Sequence, residues 1–438
     1  MNFIFARRFF WLLALGLLPL SFSWMIPALV DITIGYNLLL FLAAWFDNAQ
    51  TGRLMNLQVE RHVHHHLSLD AKNAVTLRLW NHSLRAATIQ LEDEYPPEME
   101  ASHTRLHGSI GPAEALTLSY TLRPNKRGDF QFGKTVCRVL GPYKLVWRQI
   151  AFNTGQGVRV YPNFRQARHL DLYAHRHRQM LVGQKRQRFR GHGREFESLR
   201  DFVTGDEIRH IAWTATARRG RLITRQYQIE QNQNLMIMLD TGRLMKAQID
   251  RLSKLDHAIN AALALAYVGL SGNDNVGLLI FNRHVRAYVP PHHRPRQLNV
   301  LLETLYNVEA ELVESNYAQA FQYFTARNKK RSLVVILTDI IDRESSEQML
   351  AYTSLLTTHH LPLLVTISDV DLHQLVQQVP AKLADVYQQA VAEELLHQRR
   401  QALAHLSSRG GLVLDVPAGN MAVELVNQYL EIKEQGLL

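Results

Sequence analysis

Two carboxylates stand where this chain is best placed to do chemistry. Asp240 closes the apolar run LMIMLD, and Asp339 closes SLVVILTD. A carboxylate at the end of a buried strand can serve as acid, base or metal ligand, and ligands of open α/β sheets gather at such strand ends. A third candidate, Asp206, lies in the most densely charged stretch, GREFESLRDFVTGDEIRHIAWTATARRGRLITRQYQIE, from Gly193 to Glu230. There Glu195, Glu197, Asp201 and Asp206 alternate with Arg194, Arg200, Arg209 and Arg218. That pattern suits an ion-pair network that fixes geometry as well as it suits catalysis. The spacing contains no readable nucleophile–base pair. The Gly191-His192-Gly193 turn is too short for a phosphate loop, which leaves an anion-binding loop as an open alternative.

Histidine and cysteine add little. His62, His64, His65 and His66 invite a metal reading. In a strand only His62, His64 and His66 would share a face, and no carboxylate or thiol stands at ligand spacing, so a polar strand face is the expectation. The single cysteine, Cys137, rules out a disulfide within the chain and suits a reducing compartment.

The elements that position these residues separate by pattern. After Asp240 come a helix across Ala258 to Leu270, the strand VGLLIF, and helices at Arg296–Tyr306 and Tyr317–Ala326. Next are the Asp339 strand, LPLLVTI, a long helix through His405, LVLDV and a closing helix. Such alternation predicts a doubly wound, mostly parallel sheet over 231–438. From 55 to 165 short alternating strands are punctuated by Asn81, Pro96-Pro97, Pro124-Asn125 and Gly141-Pro142, and read as a small all-β sandwich. Residues 166–230 join the two. Within them Thr204-Gly205-Asp206-Glu207 has capping-box spacing. The helix it would start places Ile208, Ile211, Ala212 and Ala215 on one face, sets Trp213 four residues from Arg209, and ends at Arg218, Arg219 and Gly220.

Residues 1–50 are apolar. One run reaches from Phe9 to Trp24 and another from Met25 to Phe46, together twice the roughly 20 residues that one membrane span needs. A transmembrane helical hairpin turning near Pro19 to Pro27 is predicted. Its rival is a cleaved leader ending at Ser21-Phe22-Ser23. Arg7 and Arg8 on one side and Arg53 and Arg61 on the other put both termini and the remaining domains in the cytoplasm. The net charge is +10, and residues 157–230 hold sixteen Arg and Lys against seven Asp and Glu, so nearly all the excess is local. A basic window suits an acidic protein, anionic lipid or nucleic acid. Its shortage of aromatic stacking platforms argues against nucleic acid.

The order strand-Asp, VGLLIF strand, LTD strand resembles a von Willebrand factor A domain. The stretch from Gly193 to Tyr227, the hairpin, the KRGDFQFG turn, VYPNF and NQYLEIKEQGLL resemble family fifty-eight of the domains of unknown function, over essentially the whole chain. Members of that family are bacterial membrane proteins, often encoded beside MoxR-type AAA+ ATPases. The resemblance implies an inner-membrane adaptor of such an ATPase, acting in envelope-protein maturation or stress response, with no established enzymatic activity and no cofactor. It makes Gly193, Glu195, Arg200, Gly205, Asp206, Arg209, Trp213, Arg218 and Arg219 the interaction signature. Metal-binding A domains use Asp-x-Ser-x-Ser, a later threonine and a further aspartate. Here Asp240 and Asp339 hold the aspartate positions, Gly242 and Leu244 replace the serines, and Ser315 and Asn316 stand where the threonine is expected. A bound Mg²⁺ would then rely mostly on water. The other class of reading is a metal-assisted hydrolase of phosphate or peptide substrates, or a binder of anionic ligands.

Overall fold

The computed structural model describes residues 3–24, 26–54, 56–163, 195–203, 208–228, 232–340, 349, 351–353, 355–368, 370–380, 382–408 and 411–437. The chain divides into two compact units, Met1–Tyr161 and Pro162–Leu438. The expected anchor and sandwich therefore lie in one unit, and the signature stretch and the α/β alternation in the other.

The first unit begins with strand β1 (Phe3–Phe5) and helices α1 (Arg7–Leu17) and α2 (Ala28–Leu54). Among the described residues α2 alone is long and apolar enough to cross a membrane, with a mean hydropathy of 1.7 over Ala28–Gly52. The 11 residues of α1 reach about 16 Å, short of a ~30 Å hydrocarbon core. A 3-10 turn, Leu18–Phe22, extends α1. The two helices touch where Gly16 lies under the Tyr36 ring and the Tyr36 hydroxyl donates to the Leu12 carbonyl at 3.2 Å.

Eleven more strands follow: β2 (Leu57–Val63), β3 (His66–Ser68), β4 (Asn73–Asn81), β5 (Ala87–Asp93), β6 (Met99–Ala101), β7 (Arg105–Ile110), β8 (Ala115–Pro124), β9 (Gly128–Phe132), β10 (Thr135–Leu140), β11 (Val146–Phe152) and β12 (Gln156–Tyr161). They form a five-stranded sheet β1-β11-β10-β5-β7, a four-stranded sheet β2-β4-β8-β6 and a three-stranded sheet β3-β12-β9. Val75, Leu77 and Leu79 alternate into the core, as do Ile89 and Leu91, in the way a period-two pattern requires. Across the two larger sheets Arg61 forks onto the Asp93 carboxylate, its Nε at 3.0 Å, and the Tyr120 hydroxyl donates to the same carboxylate at 2.5 Å. Burial and then Asp93 hold the Tyr120 phenol far above its usual range. Burial likewise pushes the Cys137 thiol up to about 12, which makes it unreactive. The histidines do not converge, because the strand holding His62 ends at Val63 and His66 opens a strand in a different sheet.

Asp47 ties α2 to this unit. Its carboxylate is fully buried near the helix's last turns and accepts backbone N–H groups of Tyr143, Leu145 and Val146 at 3.0, 3.0 and 3.3 Å. These amides belong to the turn between β10 and β11, the strand that also pairs with β1.

In the second unit β13 (Glu195–Asp201) and β14 (Ile223–Gln228) make a separate antiparallel pair flanking helix α3 (Trp213–Arg219). The expected helix from Thr204 is interrupted: Ile208–His210 is a 3-10 turn and α3 starts only at Trp213. Ile211 bridges Thr224 and the Ala212 amide donates to the Ile223 carbonyl at 2.8 Å, so the backbone there pairs with β14 instead of coiling. Arg209 and Trp213 therefore do not share one helix. The stop is as expected, with Gly220 left-handed at φ 64° and its amide on the Thr216 carbonyl. Thr204 to Glu207, the capping box, lies outside the described residues, as does 164–194, which holds most of the basic window.

The main sheet contains β15 (Asn234–Asp240), β18 (Asn275–Phe281), β19 (Val285–His292), β20 (Ser332–Leu337), β21 (Leu361–Ser368) and β22 (Leu412–Pro417); a small pair, β16 (Gln248–Ile249) and β17 (Leu252–Ser253), precedes helix α4 (Lys254–Ser271). Helices α5 (Gln297–Leu305), α6 (Tyr317–Arg327), α7 (Val370–Gln377), α8 (Leu383–Ser408) and α9 (Met421–Glu434) complete the unit. The order is β19-β18-β15-β20-β21-β22, parallel except for β19 at the edge. β19 carries Pro290 and Pro291, tolerable only where a ladder donor is not needed. Leu235, Ile237 and Leu239 face the cluster with α4 and α9, while Met236 and Met238 face the cluster with α6. Burial on both faces explains why these strands read as continuous apolar runs.

Replacing Asp47 with alanine strands three amides at once. Equilibrium unfolding of the full chain in micelles should show a loss of about 2–4 kcal/mol. An unchanged unfolding midpoint would mean that Asp47 does not hold the turn.

Candidate functional site

Sheet order runs outward in both directions from β15 and β20, so the carboxyl ends of these two strands form the topological switch point. Asp240 ends β15 and Asp339 follows β20 by two residues.

Asp240 is 2% exposed. Its carboxylate accepts from the Gly242 amide at 2.8 Å, the Thr338 hydroxyl at 2.6 Å, the Tyr317 hydroxyl at 3.1 Å and the Ser315 hydroxyl. Burial pushes this carboxyl above its ordinary pKa, against the hydrogen bonds from Ser315, Thr338, Gly242 and Tyr317 that favour the anion. Burial, then the neighbouring Asp240, holds the Tyr317 phenol well above its usual value. Tyr317 opens α6, and Asn316 before it caps that helix by accepting from the Gln319 amide at 3.0 Å. Gly242 is required by close approach: a Cβ there would lie 2.1 Å from Ser315 Oγ and 3.1 Å from Asp240 Oδ1. The Ser315 hydroxyl thus fills the space that a side chain at 242 would enter.

Asp339 has different partners. Its Oδ2 accepts from Lys254 Nζ at 2.6 Å, and its Oδ1 from Arg399 Nη1 and the Ile340 amide, both at 2.8 Å. Arg399, on α8, also donates to the carbonyls of Ile340 and Ile367 at 2.7 and 2.8 Å and to Asp415 at 2.8 Å. Asp415 on β22 accepts the Thr366 hydroxyl at 2.9 Å. Burial disfavours the Arg399 cation, but Asp339 and Asp415 outweigh it and raise its pKa.

Of the four residues expected around a divalent ion, Asp240 and Ser315 meet each other. Asp339 pairs with two internal cations, and the Asn316 side chain serves a helix cap. A hard cation needs about six oxygens. At Asp339 the oxygens are taken, and at Asp240 four donors surround the carboxylate, so the residues present do not fit Mg²⁺. Among the described residues no group of three His, Cys, Asp or Glu is spaced to hold a metal ion.

Of the signature residues, Glu195 and Arg200 lie on β13, Arg209 in the 3-10 turn, and Trp213, Arg218 and Arg219 on α3. Arg200 donates to the Asp201 carbonyl at 3.0 Å, and Arg221 pairs with Asp201 at 2.9 Å. Trp213 is 62% exposed, and Arg218 and Arg219 are exposed on the last turn of α3. Gly193, Gly205 and Asp206 fall outside the described residues, and of Glu195 and Arg209 only the backbone is described. Sequence reasoning missed Lys254, Thr338, Tyr317, Arg399 and Asp415. Lys254 did carry a signal, since it directly follows the helix-capping Ser253, where a cation opposes the helix dipole.

Gly242→Ser should destabilise the chain by about 1–3 kcal/mol through overpacking. Ser315→Ala in the same chain should recover much of that loss, and strict additivity in a double-mutant cycle would refute the contact. A second expectation follows from Asp240. A carboxyl raised in the folded state adds stability that is complete below its unfolded pKa and is lost as pH rises through the folded value. Wild type should therefore lose ground to Asp240→Asn as pH rises above the ordinary carboxylate range, read by thermal unfolding over a pH series.

Residues 198–405 match the family model described as "Protein of unknown function DUF58". The match leaves the N-terminal helices, the sandwich and the last strand and helix outside it. An uncharacterized protein of Mycobacterium tuberculosis is 24% identical over 153 residues, covering 34% of this chain and 48% of its own length. The uncharacterized protein YeaD of Bacillus subtilis is 24% identical over 126 residues, covering 29% of this chain and 31% of its own. The chain thus aligns with half or less of the curated relatives it matches. Among solved structures, the conserved hypothetical protein BatB from Bacteroides thetaiotaomicron aligns at 13% identity and a TM-score of 0.31, over 46% of this chain and 98% of that one. The CARDB domain of a Pyrococcus furiosus protein aligns at 13% identity and a TM-score of 0.18, over 24% and 94%. Through residues 198–405 the chain belongs to the DUF58 family of proteins of unknown function.

Proposed function

We propose that this chain is a membrane-tethered protein-interaction module whose partner is a MoxR-type AAA+ ATPase at the inner membrane of a bacterium. The observation that carries the reading is the commitment of the switch-point carboxylates. Asp339 is held by Lys254 and Arg399, and Asp240 by four donors. General acid–base work needs a carboxyl within reach of substrate, and metal catalysis needs open coordination. Carboxylates saturated from within act instead as struts for the loops around them. The antiparallel edge strand and the 3-2-1-4-5-6 order support a von Willebrand factor A-like reading of the second unit. For docking, the module presents Trp213, Arg218 and Arg219, an aromatic residue with two guanidinium groups of the kind that dominates interface energies.

The tether reads best as a hairpin. Strand β1 pairs with β11 just before α1, and Asp47 fastens the end of α2 to the turn before the same strand. Both feet of the helical pair stand on one sheet, so a chain that leaves through one helix returns through the other. With its 3-10 extension α1 reaches about 26 Å, near the bilayer's hydrocarbon thickness. Arg7, Arg8 and Arg53 at the two feet favour the cytoplasmic side.

The test is affinity capture of the full chain from its native membrane, with and without a nonhydrolysable ATP analogue. A MoxR-type ATPase should be recovered in at least one nucleotide state. Its yield should fall roughly tenfold or more in Arg218→Glu/Arg219→Glu, as expected when like charges face a complementary patch. Capture of no AAA+ ATPase in either state, or an unchanged yield from the charge-reversed variant, would sink this reading.

A further inference from the structure

Lys254 stands in a costly place. It is the first residue of α4, whose N-terminus is closed by a capping box between Ser253 and Asp256. The dipole there favours anions and opposes an ammonium. The side chain is also nearly buried, at 4% exposure, and a buried cation without a partner is strongly unfavourable. Its backbone is nonetheless aimed with care. The β16–β17 turn places Asp250 in the left-handed region at φ 54°, and the Lys254 amide donates to the Ala247 carbonyl at 2.8 Å. These constraints deliver Nζ to Asp339 Oδ2 at 2.6 Å.

Arg399 completes the arrangement from the opposite side of the carboxylate. Its two terminal nitrogens reach Asp339, Asp415 and the carbonyls of Ile340 and Ile367. Those atoms lie at the carboxyl ends of β20, β21 and β22, and they are hard oxygen donors of the type Mg²⁺ and Ca²⁺ select. Here they are already satisfied. Two monovalent side-chain cations balance the two carboxylates of this cluster, which leaves Asp339 and Asp415 no uncompensated charge to draw in a divalent ion.

We infer that Lys254 and Arg399 are a built-in cation pair that takes a divalent ion's place at the switch point, so that this edge of the sheet works without metal. If the docking reading holds, partner engagement at this edge is independent of Mg²⁺; the occupancy itself does not depend on that reading.

The test uses Mn²⁺ alone as probe, with the full chain in detergent, following the free-ion electron paramagnetic resonance signal. Wild type should retain no Mn²⁺ below millimolar concentration. Lys254→Ala bares one Asp339 oxygen and should bind at least roughly tenfold tighter than wild type, with the gain removed by adding Asp339→Asn. Lys254→Gln, which keeps a donor and the stem but not the charge, carries the same expectation should the alanine variant fail to fold. Micromolar retention by wild type that Asp339→Asn abolishes would overturn the inference. So would a folded, uncharged variant at 254 that binds no better than wild type. Either result is read without any partner protein, so failure of the capture experiment leaves it unaffected.

Discussion

Asp339 is the constraint around which the second unit is arranged. It is 1% exposed at the point where the strand order reverses, and a carboxylate taken there from water must find compensation or lose its charge. It finds two cations from distant parts of the chain. Lys254 comes from the start of α4, on the side of the sheet that packs against α9, and Arg399 from α8, whose Ala402 joins the opposite cluster. One carboxylate therefore links helices of both layers at the level of the strand ends. Removing either cation would leave a buried charge incompletely matched, a loss of roughly 3–5 kcal/mol. That is a large part of the stability of an ordinary domain.

The same solution recurs away from the switch point. In the sandwich Arg61 and Asp93 cross between sheets, with Tyr120, Thr135 and the Thr154 carbonyl absorbing the remaining donors and acceptors. At the opposite end of the main sheet Lys433 reaches Asp274 at 2.5 Å, and Tyr429 donates to the same carboxylate, tying α9 to the loop before β18. A chain that uses buried ion pairs repeatedly as fasteners weakens the case for treating any one of them as catalytic. Asp240 is the exception, since its partners among the described residues are all neutral. Its raised pKa is the expected result of burial without a cation.

The architecture was largely legible in sequence because its signals are local. Continuous apolar runs ending in Asp240 and Asp339 marked strands buried on both faces, and the Val75, Leu77, Leu79 alternation marked a sheet with one covered face. What escaped depends on contacts between residues far apart in the chain. Lys254 and Asp339 are separated by 85 positions, and Arg399 and Asp339 by 60. No periodicity encodes such a pairing. The break in the helix expected from Thr204 has a related origin, because Ile211 bridges Thr224 and the Ala212 amide donates to the Ile223 carbonyl of β14, and that non-local pairing outweighs helical spacing. Asp47 was hidden for a third reason. It sits at the end of an apolar run and resembles an interfacial residue, and only the position of the β10–β11 turn shows it to be a buried cap for three amides.

Arg399 also bears on how a signal could travel through this unit. It lies in the carboxyl-terminal half of the 26-residue α8, and its guanidinium bridges the ends of β20, β21 and β22. The other half of that helix is exposed, with Leu383, Tyr387 and Val391 spaced four apart along one side, and Gln389 fastens it to α7 through the Val376 carbonyl at 2.8 Å. A force on the exposed half would act as on a lever whose fixed end is the Asp339 cluster. The cation pair that closes the switch point to metal is thus also the joint through which movement of α8 would be felt at the strand ends.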